Sequence, residues 1–384
     1  MPPAYEGDPK PPKLVPPKLV PPKLVPPKLV PPKLVPKEQG HFTRRAVTVG
    51  LSLGFCLSMW PAGVDAQSVG DVFRSANPSV VVIRARGRDV EASGQTRFSE
   101  TGSGVLISSD GKVMTAAHVV HTMDEITVEF LGGETVKARV LSSEPAADLS
   151  LLQLERVPAG TRAARLADSN AVRVGDQVIV IGAPYGLSHS LSVGWISARW
   201  APNTVYKALP LAEFFQTDAS INSGNSGGPM FNMAGEVIGI VSHNISKSGG
   251  SEGLGFVATV NTAKQLLLER RSFWTGLEGQ LLSSELADLF NLPPKTVGFM
   301  VKTVAKGSPA EEMGIRGGTK TAVIDGQTLV VGGDILLEVE GITVGSAADA
   351  IRIRDHMGRL PSGAPIKAKV MRAGQVLQLT GKVP

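Results

Sequence analysis

Three short segments hold side chains able to do covalent chemistry. Thr115-Ala116-Ala117-His118-Val119-Val120 places a histidine just after an expected strand. Asp148-Leu149-Ser150-Leu151-Leu152 puts a carboxylate at the head of another, and Gly224-Asn225-Ser226-Gly227-Gly228-Pro229 sets a serine in a turn that glycines permit. Each is ordinary alone, since most histidines are surface or core residues, most aspartates cap something, and most Gly-Ser loops are linkers. Together, in the order His, Asp, Ser on a β-rich chain, they suit acyl transfer. A serine hydroxyl is a poor nucleophile at neutral pH and needs a base within hydrogen-bond reach. A histidine side chain ordinarily titrates near neutrality, so His118 can take that proton and return it to a leaving amine. Asp148 would fix the imidazole tautomer and stabilise the imidazolium. The loop offers the backbone N–H groups of Gly224, Asn225 and Ser226 as oxyanion donors, with those of Gly224 and Ser226 converging on one point.

The elements that must position these groups are short β runs. Val80-Val81-Val82-Ile83, Val105-Leu106-Ile107, Ile126–Phe130, Val178–Ile181 and Val237–Val241 are separated by turns at Asp110-Gly111, Gly132-Gly133 and Ala234-Gly235. This rhythm predicts an antiparallel barrel or sandwich. A helix capped by Asn261 or Thr262 and running to Arg271 closes this part. The rest reads as a smaller α+β domain. It has a run at Gly298–Val304, a helix start at Ser308-Pro309-Ala310, a helix over Ala347–His356, and a hairpin over Ile366–Leu379 turning on Ala373-Gly374. Of the other histidines, His121 reads as a surface residue, and His189 and His243 are expected in loops bordering the site, in structural roles.

The charge balance excludes a nucleic-acid partner. The 384 residues hold 39 Lys and Arg against 34 Asp and Glu, a net +5. Residues 1–45 alone carry nine basic residues against Glu6, Asp8 and Glu38, whereas from Gln67 onward there are 30 of each sign. The basicity is therefore that of an N-terminal appendage. Within it Pro11–Val35 is five copies of Pro-Pro-Lys-Leu-Val, a low-complexity tract in which proline forbids helix and sheet ladders, so residues 1–40 are expected to be disordered.

Residues 41–66 read as an export signal, with Arg44-Arg45, an uncharged stretch from Ala46 to Val64, and Val64-Asp65-Ala66 before a cut after Ala66. The paired arginines resemble a twin-arginine signal; the Sec route also fits, and so does an uncleaved inner-membrane anchor. The single cysteine, Cys56, lies inside this segment, so the exported chain carries no thiol, disulfide or thiolate metal site. No nucleotide loop or cluster of metal-ligand residues is apparent, and no cofactor is expected.

The motifs resemble those of the HtrA/Deg family of trypsin-fold serine proteases. Gly102–Ile107 with Thr115–Val120 is similar to the family's histidine motif, Ala147–Leu152 to its aspartate motif, Thr217–Pro229 to its serine motif, and Gly253-Leu254-Gly255-Phe256-Val257 to the loop that follows. The family has Asn where Ala116 and Ala117 stand and usually Pro where Ser223 stands. The resemblance spans about residues 68–384. It implies a mainly β chain: a trypsin-like double six-stranded antiparallel β-barrel over 67–271, with the triad in the cleft, followed by one small α+β PDZ domain over 272–384. Trp274-Thr275-Gly276-Leu277 lies where a PDZ carboxylate-binding loop would be, and Gly317–Val331 looks inserted. Also implied are ATP-independent cleavage of misfolded or damaged envelope proteins in the periplasm, C-terminal peptides as PDZ ligands, PDZ gating, and homotrimers or higher oligomers built near Val72-Phe73.

Specificity follows from one position. A protease preferring Lys or Arg needs an acid six residues before the nucleophile, and here Ser220 stands there. Small or medium apolar side chains are expected before the cut, with pocket walls from Ile221 and Ser242, His243 and Asn244, and Asp218 in a structural role. The competing expectation is a chaperone-like or peptide-binding protein with a resting, largely silent protease site.

Overall fold

The computed structural model describes residues 68–91, 94–270, 273–294, 296–324 and 326–383. The Pro-Pro-Lys-Leu-Val repeats, the export signal and Cys56 lie outside the described residues.

The described chain opens with α1 (Val69–Ala76), held by a capping box in which Ser68 and Asp71 each bond the other's backbone. Six strands follow: β1 (Val80–Glu91), β2 (Gly94–Leu106), β3 (Lys112–Thr115), β4 (Glu125–Glu129), β5 (Thr135–Glu144) and β6 (Leu149–Leu154). A one-turn helix, α2 (Ala117–Val120), leaves β3. The strands close antiparallel in the order β1-β2-β3-β6-β5-β4. A second closed barrel, ordered β10-β11-β12-β9-β8-β7, is built from β7 (Gln177–Gly182), β8 (Ser190–Trp200), β9 (Phe214–Thr217), β10 (Pro229–Phe231), β11 (Val237–Asn244) and β12 (Gly255–Thr259). Each run read as a strand in the sequence lies in one of these strands or, as with Ile107 and Phe130, one residue beyond its end.

Closure removes free sheet edges and leaves each barrel an apolar interior. The first is filled by residues such as Val81, Ile83, Val113, Val128 and Leu152, the second by Val178, Val180, Phe215, Met230 and Val257. A third cluster joins the barrels. Val105, Met114 and Leu149 from the first meet Ile179, Phe214, Phe231 and Phe256 from the second. Fully burying one such side chain contributes about 1.5–3 kcal/mol, so this seam fixes the cleft geometry between the barrels.

The closing helix, α3 (Val260–Ala263), continues as a π-helix over Lys264–Glu269, and its N-cap is Thr259 rather than Asn261 or Thr262. Thr259 takes the extended N-cap conformation, while Asn261 turns to Asp168 and Ser169. The helix buries Leu266 and Leu267 on the inter-barrel seam and ends at Glu269.

Beyond it a separate sheet runs β13-β14-β17-β19-β20, with β18 beside β17. The elements of this part, in chain order, are β13 (Leu277–Leu281), α4 (Ser284–Leu289), β14 (Phe299–Val304), α5 (Pro309–Glu312), β15 (Lys320–Ile324), β16 (Gln327–Val331), β17 (Ile335–Val339), β18 (Ile342–Thr343), α6 (Ala347–Met357), β19 (Pro365–Arg372) and β20 (Gln375–Lys382), with β15 and β16 forming a separate two-stranded sheet. Ser308 caps α5 with Pro309 at its first position, as its sequence predicts. The stretch Gly317–Val331, read as an insertion, is largely the two-stranded hairpin β15-β16.

Candidate active site

His118 sits on α2, which leaves β3 through the extended residue Ala116. Its side chain is 46% exposed to the cleft, whereas Asp148 is 8% exposed. Asp148 follows the short turn Pro145–Ala147 in a left-handed conformation, φ 55° and ψ 42°, a strained shape that aspartate tolerates better than most residues. That shape aims the carboxylate back at α2. His118 Nδ1 lies 2.9 Å from Asp148 Oδ1 and 3.0 Å from Oδ2, and the His118 backbone N–H donates to Oδ1 at 3.1 Å.

Burial disfavours the charged form of each partner, and the partnership overcomes it. The hydrogen bond and charge of Asp148, with Glu100 adding to them, hold His118 above the usual histidine value. The His118 ring, the Ser242 hydroxyl and the His118 N–H hold Asp148 below the usual carboxylate value.

Ser226 lies across the cleft, in the turn between β9 and β10. Two glycines shape that turn. Gly224 has φ +99° and Gly227 φ +82°, and a Cβ on either would collide, with the Ala183 carbonyl and with Thr115 Oγ1 respectively. The N–H groups of Gly224 and Ser226 have no protein partner among the described residues. Asn225 differs from the sequence expectation: its N–H donates to Asn222 O at 3.0 Å, closing the turn, so it is not free to meet an oxyanion. Ser226 Oγ donates to the Ser242 carbonyl at 3.3 Å, and the described residues show no hydrogen bond between Ser226 and His118.

Two further serines organise this region. Ser103 on β2, fully buried, reaches from the first barrel into the second: its N–H donates to Ser226 O at 2.8 Å, its hydroxyl donates to Gly224 O at 2.7 Å, and Ala183 N–H donates to that hydroxyl at 2.9 Å. In the sequence Ser103 stands out only as one residue of the motif Gly102–Ile107. Ser242, expected as a pocket wall, is 1% exposed and directs its hydroxyl to Asp148 Oδ2 at 2.5 Å. A hydroxyl directly after the apolar run Val237–Val241 is the signal the sequence offers for it.

The remaining expected pocket residues are dispersed. Ile221 is 2% exposed and packs into the second barrel's interior. Ser220 is exposed, and its carbonyl accepts from Ser192 Oγ. Asn244 Nδ2 donates to Ile221 O and Gly250 O. Asp218 accepts from the Trp195 N–H at 2.7 Å. His243 lies on β11 rather than in a loop, with its ring stacked on Phe256. His189 bonds Asn77.

His121 is a correction. It is 8% exposed rather than a surface residue, because the third sheet covers it. Its Nε2 donates to Leu277 O at 2.9 Å and its Nδ1 lies 2.8 Å from Ser143 Oγ. Trp274 Nε1 donates to the His121 carbonyl at 2.7 Å. The Trp274–Leu277 segment is thus docked on the residue that follows α2. Beyond it an apolar cavity of about 720 Å3 opens between β13 and α6, lined by Leu277, Phe299, Ile351, Met357 and Ile366 and faced by Pro210 and Leu211 of the barrels.

Paired closed antiparallel barrels with His and Asp from one facing Ser from the other define a trypsin-like fold. Residues 102–240 match the family described as trypsin-like peptidase domain. The chain is 37% identical over 289 residues to a probable periplasmic serine endoprotease DegP-like of Halomonas elongata, covering 73% of this chain and 55% of that protein. It is 35% identical over 269 residues to the protein of the same description from Pseudomonas savastanoi pv. phaseolicola, covering 68% and 54%. The chain thus spans about half the length of these relatives. Among solved structures it resembles a serine-to-alanine variant of the HtrA-type protease AlgW with a decapeptide, at 27% identity and TM-score 0.50, covering 82% of this chain and 97% of that one. The chain belongs to the HtrA/Deg family of trypsin-like serine proteases.

Proposed function

We propose that this chain is a serine-type endopeptidase that cleaves peptide bonds through an acyl-enzyme, without ATP. The observation that carries this reading is the His118–Asp148 pair, with its 2.9 Å hydrogen bond, facing a serine loop whose Gly224 and Ser226 N–H groups are unspent. Ser226 Oγ attacks the scissile carbonyl while its proton passes to His118 Nε2, and Asp148 stabilises the imidazolium. The carbonyl oxygen, now anionic, takes hydrogen bonds from Gly224 and Ser226; each such donor contributes roughly 10²–10³ in rate. His118 returns the proton to the leaving amine, and water then repeats the sequence to release the acyl group.

Residues 67–271 form the protease domain in this reading and 272–384 a PDZ domain. The edge position of β13 and the apolar cavity against α6 support capture of an extended C-terminal peptide by strand addition, its carboxylate at Trp274–Leu277. The names of the relatives support periplasmic action, and unfolded or damaged proteins are the substrates proposed, with assembly as trimers or larger oligomers. The absence of an acid at Ser220 supports small or medium apolar residues before the cut.

A second reading, a peptide-binding or chaperone-like protein with a resting site, draws on one observation, the Ser226 hydroxyl bonded to Ser242 O instead of to His118. Purified protein on unfolded casein, wild type beside Ser226→Ala, separates the two. Fragments from the wild type alone support the protease; equal loss of casein in both samples overturns it.

A further inference from the structure

His243 is the second histidine at the site, and the triad chemistry leaves it without a task. A bulge in β11 places it there. Val241 pairs with Val257 and His243 with Phe256, so Ser242 is the extra residue between them and both side chains reach the same region. The imidazole is enclosed by aromatic rings. Phe256 stacks on it at 5.1 Å and 10°, Tyr206 lies at 4.1 Å, and Phe214 presents an edge at 5.5 Å. Its Nδ1 is 3.0 Å from Ser242 Oγ, and its Nε2 is buried with no hydrogen-bond partner among the described residues.

Counting protons assigns the direction of each bond. Ser242 has one hydroxyl proton, and the ionised Asp148 Oδ2 at 2.5 Å can only accept it. The Ser242 oxygen must therefore accept from His243, which places a proton on Nδ1 and leaves Nε2 bare. A line of donors results, from His243 Nδ1–H to Ser242 Oγ–H to Asp148, whose carboxylate also holds His118 Nδ1–H.

We infer that His243 is a positioning residue for the acyl transfer proposed above: its Nδ1–H locks the Ser242 hydroxyl onto Asp148 and so fixes the carboxylate that orients His118. The inference rests on the protease reading. The charged and titratable groups around it are Asp148, His118 and the Tyr206 hydroxyl, with Glu100 acting on His118. Burial, with His118 adding to it and Asp148 opposing, lowers His243 to about 4, so the neutral donor form persists wherever His118 can act as a base.

The test uses the full chain and four variants. His243→Phe keeps the ring stacking and removes the donor; His243→Asn returns an amide N–H near the Nδ1 position. Ser242→Ala and the double variant Ser242→Ala/His243→Phe close the cycle. His243→Phe is expected to lower kcat on a casein-derived peptide about tenfold with KM within about twofold, and His243→Asn to recover most of the loss. In the Ser242→Ala background the Phe change is expected to have no further effect, because the path runs through that hydroxyl. Full activity in His243→Phe, or the same tenfold loss in both backgrounds, overturns the proposal. A readout independent of turnover separates this from failure of the protease reading. In Ser226→Ala protein the downfield proton resonance of the His118–Asp148 bridge is expected to move on His243→Phe and return with His243→Asn, and an unmoved resonance rejects the inference.

Discussion

His121 Nε2 donates to the carbonyl of Leu277 at 2.9 Å, joining residues 156 positions apart in sequence. The bond ties the residue after α2, which carries His118, to the first residue of β13, the edge strand of the third sheet. A carbonyl can only accept, so Nε2 carries the proton, and a neutral ring then accepts at Nδ1 from Ser143 Oγ at 2.8 Å. Burial holds His121 below its ordinary value, against the pull of the Leu277 carbonyl and Glu278. The sign follows from linkage. A histidine kept neutral by folding contributes fully above its unfolded value of about 6.5, and the contribution is lost as pH falls below that towards the depressed folded value. Acidification is expected to loosen the third sheet from the barrels, read as faster limited proteolysis after the closing helix. His121→Phe is expected to weaken docking by about 1–2 kcal/mol and to remove this pH dependence.

In the proposed acyl transfer, the acid limb of activity is set by His118. It must be neutral to take the Ser226 proton, and its value is raised by Asp148 and Glu100 despite burial. The midpoint of kcat/KM against pH is therefore expected above the ordinary histidine value. Glu100→Gln removes one charge and is expected to move that midpoint down, while Ser226→Ala shows no limb to titrate. For His118, stability runs the other way. The His118 share of the pair's contribution is complete below the unfolded histidine value and fades as pH rises through the raised one. The Asp148 share is present above the unfolded carboxylate value and is lost as pH falls through the lowered one. Activity profiles and thermal unfolding at matched pH values check both.

Ser103 connects the barrels through the serine loop. Ser103→Ala leaves the Gly224 carbonyl and the Ala183 N–H without their buried partner. Each unsatisfied group costs about 1–3 kcal/mol, and the loop carrying the proposed oxyanion donors is expected to shift. The expected result is a loss concentrated in kcat, together with weaker inhibition by a peptide boronate, whose tetrahedral adduct uses the same donors.

Arg354 on α6 pairs with Glu144, the last residue of β5, at 3.3 Å, with side-chain exposures of 18% and 10%. Burial raises the Glu144 carboxyl even with Arg354 beside it, and burial also opposes the Arg354 charge, which Asp355 and Glu144 stabilise. Such a pair adds little net stability yet is costly to halve. Arg354→Met is expected to destabilise by about 3 kcal/mol, and Glu144→Gln/Arg354→Met to recover most of it. Urea unfolding of the two variants decides. Equal losses in both would mean that the charges do not act as a pair.

Much of the barrel pattern was legible because it is local. Alternating apolar runs and glycine turns mark strands without reference to partners, and Gly224 and Gly227 announce a turn that no side chain could enter. The helix start at Thr259 was missed because the polar residues after it, Asn261 and Thr262, are equally good caps on paper, and only the contacts to Asp168 and Ser169 show that Asn261 is occupied elsewhere. His121 was misread for a similar reason. Its neighbours Val119, Val120 and Met123 are buried in the first barrel, but the surface that covers the His121 ring arrives from distant residues, with Trp274 and Leu277.

His118, Asp148 and Ser226 could be nominated from residue types and spacing, because a nucleophile, a base and an orienting carboxylate are chemical requirements visible in one dimension. So could the location of the basic charge in the first 45 residues, since charge is additive along a chain. The role of Ser242 as the fourth partner of the site, in place of a pocket wall, could not. Ser242 and His243 owe their places to a bulge in β11 that brings two successive side chains together, and a bulge depends on pairing with β12. Which way the Ser226 hydroxyl turns, which histidine is covered, and which hydroxyl completes Asp148 are properties of surfaces that meet only when the barrels and the third sheet close on one another.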